Sequence, residues 1–232
     1  MIKSVVFDMF ETLVSLFDGR MYFSEHIAAD LGVEHMTFRK AWHETEDTRT
    51  LGKITIEEGI EDALKALGVY SESNAKMVAD GRMAMLEDTF RLVSDESINL
   101  LKNLHKKGIY TGLISNCYSD EAKIIKESAL YPLFDVTMLS YEQGMAKPDP
   151  AIYHKMAEKL GVKPEECLYV GDGGCRELFT AREIGMHPVQ ALWYRHQMFE
   201  PHIPSPVFDE FPHAQTRADI EKLLDDINND YQ

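Results

Sequence analysis

From about residue 94 onward the chain alternates helix-like and strand-like segments, and this alternation constrains the fold more than any other feature. Ser94-Asp95 reads as the cap of a helix ending at Gly108, with a strand over 109–114 after it. A helix over about 120–128 precedes a strand over 136–139, and a helix over 150–160, closed by Gly161, precedes a strand over 168–170. A helix over 176–184, stopped by Gly185, leads to a strand over 189–192, and Thr216 with Asp219 reads as a capping pair opening a last helix over 220–227. A further strand-like run, 4–7, opens the chain. Strands that alternate with helices pair in parallel through right-handed crossovers, which predicts an α/β fold with a doubly wound parallel sheet.

Residues 15–88 break this pattern. Helical apolar spacing recurs over 21–31, 36–45, 56–67 and 75–86, punctuated by Gly32, Gly52 and Gly68, with little strand signal. The expected organisation is a core of 1–14 plus 89–232, with a helical cap of 15–88 inserted after the first strand. No internal repeat is visible, and 202–212, rich in Pro and aromatics, reads as an irregular surface segment.

A parallel sheet also predicts where chemistry sits, because ligands of open α/β sheets bind beyond the carboxyl ends of the strands. Polar groups follow the predicted strands there: Asp8, then Ser115-Asn116, then Lys147 in Lys147-Pro148-Asp149-Pro150, then Asp172 in Gly171-Asp172-Gly173-Gly174. Any one alone is more often a turn or a helix cap. The set, in this order, is hard to explain as chance. An Asp at the end of a buried parallel strand is well placed to act as a nucleophile.

The order Asp8…Thr12, Ser115, Lys147 and Gly171-Asp172 resembles the haloacid dehalogenase-like (HAD) hydrolase superfamily over essentially the whole chain. The helical stretch resembles the cap of a subgroup that contains phosphatases, phosphonatases and 2-haloacid dehalogenases. The resemblance implies a nucleophilic Asp8 and a covalent aspartyl intermediate, with Lys147 keeping Asp8 ionised and offsetting substrate charge. Ser115 and the backbone near Asn116 would hold a phosphoryl or carboxylate oxygen. Thr12 would bond within the first loop and orient Asp8, or serve the loop's structure alone. Mg2+ would be held by Asp8, the Phe10 backbone carbonyl and Asp172, since Mg2+ takes oxygen ligands and commonly only one or two protein carboxylates. Glu177 is either an acid behind those ligands or an exposed first-turn Glu favoured by the helix dipole.

Phe10 departs from the phosphatase pattern, in which an Asp there protonates the leaving alcohol and activates water. Loss of such help costs about 10²–10⁴-fold, which points to substrates with a good leaving group. The aromatic resembles the dehalogenases, whereas Gly171-Asp172-Gly173 resembles the metal-binding form of the last motif. Glu11, where Gly is common, is a possible substitute acid, although one position along a loop usually turns a side chain elsewhere. The resemblance therefore implies a Mg-dependent hydrolase of a small phosphorylated or phosphonate-like metabolite. A metal-free 2-haloacid dehalogenase and a weakly active or inactive metal- and anion-binding module stay open.

In the cap, Arg20, Arg39, Arg49 and Lys53 are candidates to meet an anionic substrate, although most charges on such an insertion are solvated. Met21, Tyr22, Phe23 and Trp42 read as cap core. A net charge of −15 argues against a general nucleic-acid surface. Apolar runs too short for a bilayer, no signal-peptide pattern, and cysteines (Cys117, Cys167, Cys175) without zinc spacing give the expectation of a cytoplasmic protein with free thiols. The oligomeric state is left open by the sequence.

Overall fold

A short hydrophobic strand, β1 (Ser4–Phe7), lies at the centre of the molecule in the computed structural model, which describes residues 1–197 and 206–229. Successive side chains of a strand point to opposite faces. Val5 and Phe7 therefore enter one core while Val6 enters the other, and all are fully buried. Burial of each such side chain stabilises by about 1.5–3 kcal/mol.

The helices α1 (Ser24–Leu31), α2 (His35–His43), α3 (Glu46–Thr50), α4 (Ile56–Ala66) and α5 (Glu72–Arg91) follow β1. Alternation then begins with α6 (Asp95–Lys106), β2 (Tyr110–Ser115), α7 (Ser119–Glu127), β3 (Val136–Leu139), α8 (Ser140–Gln143) and α9 (Pro150–Leu160). It ends with β4 (Cys167–Gly171), α10 (Glu177–Glu183), β5 (His187–Ala191), β6 (His213–Ala214) and α11 (Arg217–Asn229). The strands form one sheet in the order β3-β2-β1-β4-β5-β6 with every pairing parallel. The order reverses direction at β1, so the carboxyl ends of β1, β2 and β4 meet at the switch point where ligands of such sheets bind. The doubly wound α/β expectation holds.

The helical segment has its own core of Tyr22, Ile27, Phe38, Ile60, Leu64 and Met85. Helix α4 shows why it forms. Thr55 caps it and Glu58 reciprocates in a capping box, while Ile56, Ile60, Ala63 and Leu64 fall on one buried face. The segment is fastened to α7 by buried charge. The Arg82 guanidinium on α5 donates to Asp120 (2.9 Å) and Glu121 (3.2 Å) at the start of α7. Arg49 on α3, fully buried, lies between the rings of Trp42 (3.9 Å) and Tyr118 (4.7 Å) and donates to the Trp42 carbonyl. The Ile56 amide donates to Ser119 Oγ at 2.8 Å.

Several local expectations need correction. Helix α5 extends on both sides of the helical spacing read over 75–86, and its Phe90 buries against the main core. Helix α3 falls between the segments of helical spacing read over 36–45 and 56–67. The helix expected from Arg176 starts at Glu177, because Cys175 and Arg176 hold left-handed backbone (φ 49° and 55°). The two-residue β6 is too short to leave a periodic signal. The segment expected to be irregular surface over 202–212 lies partly outside the described residues, and its Phe211 is buried. Among the described residues no helix is long and apolar enough to cross a membrane.

Candidate active site

The Asp8 amide donates to the Val170 carbonyl at 2.9 Å, which continues the β1–β4 ladder by one rung. Pairing of Phe7 with Val170 sets Asp8 beside Gly171 and brings Asp172 next to it. Lys147, from the loop before α9, reaches under both strand ends. Its Nζ donates to Asp8 Oδ1 at 2.5 Å and to Glu177 Oε2 at 2.6 Å. Asp8, Lys147 and Asp172 are each under 9% exposed and Glu177 is fully buried.

Asp8, Asp172 and Glu177 bring one oxygen each within 4.8 Å of one another. Three carboxylates thus face a single ammonium, which leaves an excess of negative charge in a dry place. The consequence appears in their proton affinities. Burial, with Glu177 adding to it and Lys147 opposing, raises the Asp8 carboxyl from 3.8 to about 6. Burial, then Glu177 and Asp8, push Asp172 well above the usual carboxylate range. Burial alone would lower the Lys147 ammonium, but Asp8 and Glu177 outweigh it and hold it well above its usual value. A clustered set of carboxylate oxygens with uncompensated charge fits a hard divalent cation, which would remove the repulsion that holds protons on Asp8 and Asp172.

Glu177 sits deeper in the cluster than expected. It is no exposed first-turn Glu: it accepts from Lys147, from the Tyr169 hydroxyl (2.7 Å) and from the Gly173 amide (3.1 Å). The left-handed turn at Cys175 and Arg176 precedes it, and Gly171 makes room for it. A Cβ at 171 would lie 2.0 Å from Glu177 Oε1. Tyr169 gave no sequence signal, because inside a strand it reads as one more core aromatic.

Asn116 is joined to Lys147 rather than directed at the cluster. Its carboxamide donates to the Lys147 carbonyl (2.9 Å) and accepts from the Lys147 amide (2.8 Å). It fixes the backbone from which the lysine reaches Asp8. Ser115 is fully buried, and among the described residues its hydroxyl donates only to the Asn116 carbonyl, at 3.5 Å. The bond expected from the Thr12 side chain within the first loop is not formed among the described residues. Among the described residues the buried Thr12 hydroxyl has no hydrogen-bond partner, and its carbonyl accepts from the Trp193 indole at 2.8 Å.

The Phe10 ring packs edge-on to Phe90, with centroids 6.3 Å apart. Glu11 has left-handed backbone (φ 56°), and its carboxylate turns back on its own loop, accepting from Ser15 Oγ (2.7 Å) and the Leu16 amide (2.8 Å). Burial raises it from 4.5 to about 7. Of the helical-segment cations, Lys53 is exposed and Arg39 half-buried. Arg20 stands over Tyr22, Arg49 is enclosed by aromatics, and none bonds to the three carboxylates. Beside the cluster a cavity of about 450 Å³ runs between α3 and the core, lined by Glu46, Asp47, Thr50, Asn116, Lys147 and Cys175. A larger one of about 540 Å³ lies on the helical segment by Arg20, Lys76 and Asp80; neither is lined by the three carboxylates, but the smaller reaches them through Lys147, which bonds Asp8 and Glu177.

Residues 2–185 match the family described as haloacid dehalogenase-like hydrolase, and the chain belongs to that family. Glyceraldehyde 3-phosphate phosphatase of Methanocaldococcus jannaschii is 26% identical over 99% of this chain and 98% of its own length. The protein of the same name from Pyrococcus furiosus is 32% identical over 54% of this chain and 52% of its own. The chain spans only 38% to 58% of the length of three of the curated relatives it matches. Among solved structures, 2-haloacid dehalogenase from Pseudomonas syringae pv. Tomato superposes with TM-score 0.68 at 21% identity, covering 97% of this chain and 98% of that one. A HAD-family enzyme of Bacteroides thetaiotaomicron, in complex with magnesium and inorganic phosphate, superposes with TM-score 0.59 at 19% identity, covering 82% and 94%. At these identities the structures share the fold.

Proposed function

We propose that the protein is a Mg2+-dependent phosphatase of a small anionic metabolite with a good leaving group, using Asp8 as nucleophile. The observation that carries this reading is the excess of carboxylate over ammonium in the Asp8–Asp172–Glu177 cluster. A metal-free dehalogenation has no use for it. The phosphatase names of the relatives point the same way.

Asp8, Asp172 and Glu177 would hold the ion, with the Phe10 carbonyl as the expected backbone ligand, and bound Mg2+ would offset charge on the phosphoryl oxygens. Lys147 holds Asp8 Oδ1 and keeps the carboxylate oriented and ionised. The carboxylate attacks phosphorus, and the bond from phosphorus to the leaving oxygen breaks with its electron pair on that oxygen. Water then attacks the phosphorus of the aspartyl phosphate, releasing inorganic phosphate and restoring Asp8. With Phe10 at the position of the acid, the leaving group departs unprotonated, which selects aryl, acyl or similarly stabilised leaving groups over simple alcohols. The helical segment acts as the cap, excluding water from the cleft between α3 and Lys147.

The test is hydrolysis of an aryl phosphate with Mg2+. Turnover is expected in the wild type, lost by about 10⁴-fold or more in Asp8→Asn. Halide release from a 2-haloacid that persists in a chelator would contradict the proposal and establish the dehalogenase alternative.

A further inference from the structure

Next to the acidic cluster, Gln190 of β5 is fully buried, and both N–H donors and the oxygen of its carboxamide are engaged across chain segments. Its Nε2 donates to the Asp172 carbonyl and to the Pro206 carbonyl, both at 2.8 Å, and its Oε1 accepts from the Phe208 amide at 2.9 Å. Gly173 permits the approach. A Cβ there would lie 2.7 Å from the Phe208 ring and 3.2 Å from Gln190 Nε2. The same segment reaches the second acid by packing. Phe208 and Phe211 both meet the ring of Phe179 edge-on, at 5.1 Å and 5.0 Å, two residues after Glu177 on α10. Arg182 covers Phe211 at 4.8 Å.

We infer that Gln190 and residues 206–211 form a brace that positions Asp172 and Glu177, with Gln190 as the positioning residue at its centre. Gln190 and residues 206–211 lie outside residues 2–185, the part matched by the family. Its effect on metal affinity rests on the proposal that these acids hold the ion, but its effect on the loop does not. Burial explains why a carboxamide is used. An apolar side chain at 190 would strand the carbonyls of Asp172 and Pro206 and the amide of Phe208 without partners, and buried polar groups left unpaired are costly. The loop would relax to satisfy them and carry Asp172 with it.

Amide hydrogen exchange over 171–177 of the whole chain without metal tests the brace, comparing wild type, Gln190→Met, and Leu224→Ala on α11 as a destabilised control away from the site. The Gly173 and Gly174 amides, which donate to Glu177 and Asp172, are expected to exchange about tenfold faster in Gln190→Met and at wild-type rates in Leu224→Ala. Titration with Mg2+ should show affinity about tenfold weaker in Gln190→Met alone, as for other residues that orient metal ligands. If Gln190→Met does not fold, Phe208→Ala is read in the same way. Unchanged exchange over 171–177, or equal acceleration in Leu224→Ala, overturns the brace. A wild type that does not bind Mg2+ removes the metal proposal, while the exchange result still decides the brace.

Discussion

The acidic site and the α5–α7 junction are both clusters of buried charge, yet their balance is opposite. At the junction the guanidiniums of Arg82 and Arg49 stand with the carboxylates of Asp120 and Glu121, and the faces of Trp42 and Tyr118 cover them. Burial alone would lower Arg82, but Asp120 and Glu121 outweigh it and hold the guanidinium firmly charged. The charges stand two against two, with burial and Asp120 raising the Glu121 carboxyl, and the cluster joins the helical segment to α7. At the site, three carboxylates share one ammonium, and burial together with their mutual repulsion raises the proton affinity of Asp8 and Asp172. A balanced buried cluster serves as a fastening. An unbalanced one is stable only when protons or a cation make up the difference, which marks it as the place where a ligand acts.

Replacements in the two regions should therefore act in opposite directions. Arg82→Met leaves Asp120 and Glu121 buried without their partner and is expected to destabilise by about 3–5 kcal/mol in denaturant unfolding. The added change Asp120→Leu should recover part of that loss. No recovery would mean that the junction is held by packing rather than by charge.

The next effect in size concerns the leaving group. Phe10→Asp is expected to raise hydrolysis of alkyl phosphates by about 10²-fold while leaving aryl phosphates little changed, measured as kcat/KM on a matched pair. Loss of the edge contact with Phe90 should lower stability by about 1 kcal/mol. Equal gains on both substrates would show that Phe10 does not set the leaving-group preference.

The smallest effect is a reversal of the usual sign at the site. Asp8 rises from 3.8 to about 6 and Glu11 from 4.5 to about 7 on folding, and Asp172 is raised as well. The metal-free folded state therefore binds more protons than the unfolded chain between about pH 4 and 7, and stability from these groups is lost as pH rises through that window. Asp172→Asn removes one repelling charge and should raise the Tm of the chelated protein at neutral pH. A lower Tm would mean that Asp172 is already compensated.

Much of this contrast is visible in the sequence, but unevenly. The strand-end positions of Asp8 and Asp172 follow from periodicity, because a parallel sheet brings strand ends together whatever their separation along the chain. The parallel pairing of β1 with both β2 and β4 bears this out. Glu177 was only half legible. Its spacing from Asp172 suggested an acid near the ligands, but the left-handed turn at Cys175 and Arg176 that swings it inward carries no glycine to announce it. Arg82 was invisible, since a guanidinium on a long helix looks solvated until its partners on α7 are known. Gln190 is similar: its partners Asp172 and Phe208 come from separate loops, and only packing unites them. Thr12 shows the reverse error, where motif order suggested a bond that the loop does not make.

The central claim is that the charge excess of the site is met by a divalent cation. Calorimetric titration of the metal-free protein with Mg2+ near pH 7.5, in wild type and in Asp172→Asn, tests it most directly. The account predicts a single saturable event with release of protons in the wild type, weakened by at least about tenfold in Asp172→Asn. Absence of Mg2+ binding in the wild type, or binding of equal strength and proton release in Asp172→Asn, would contradict it.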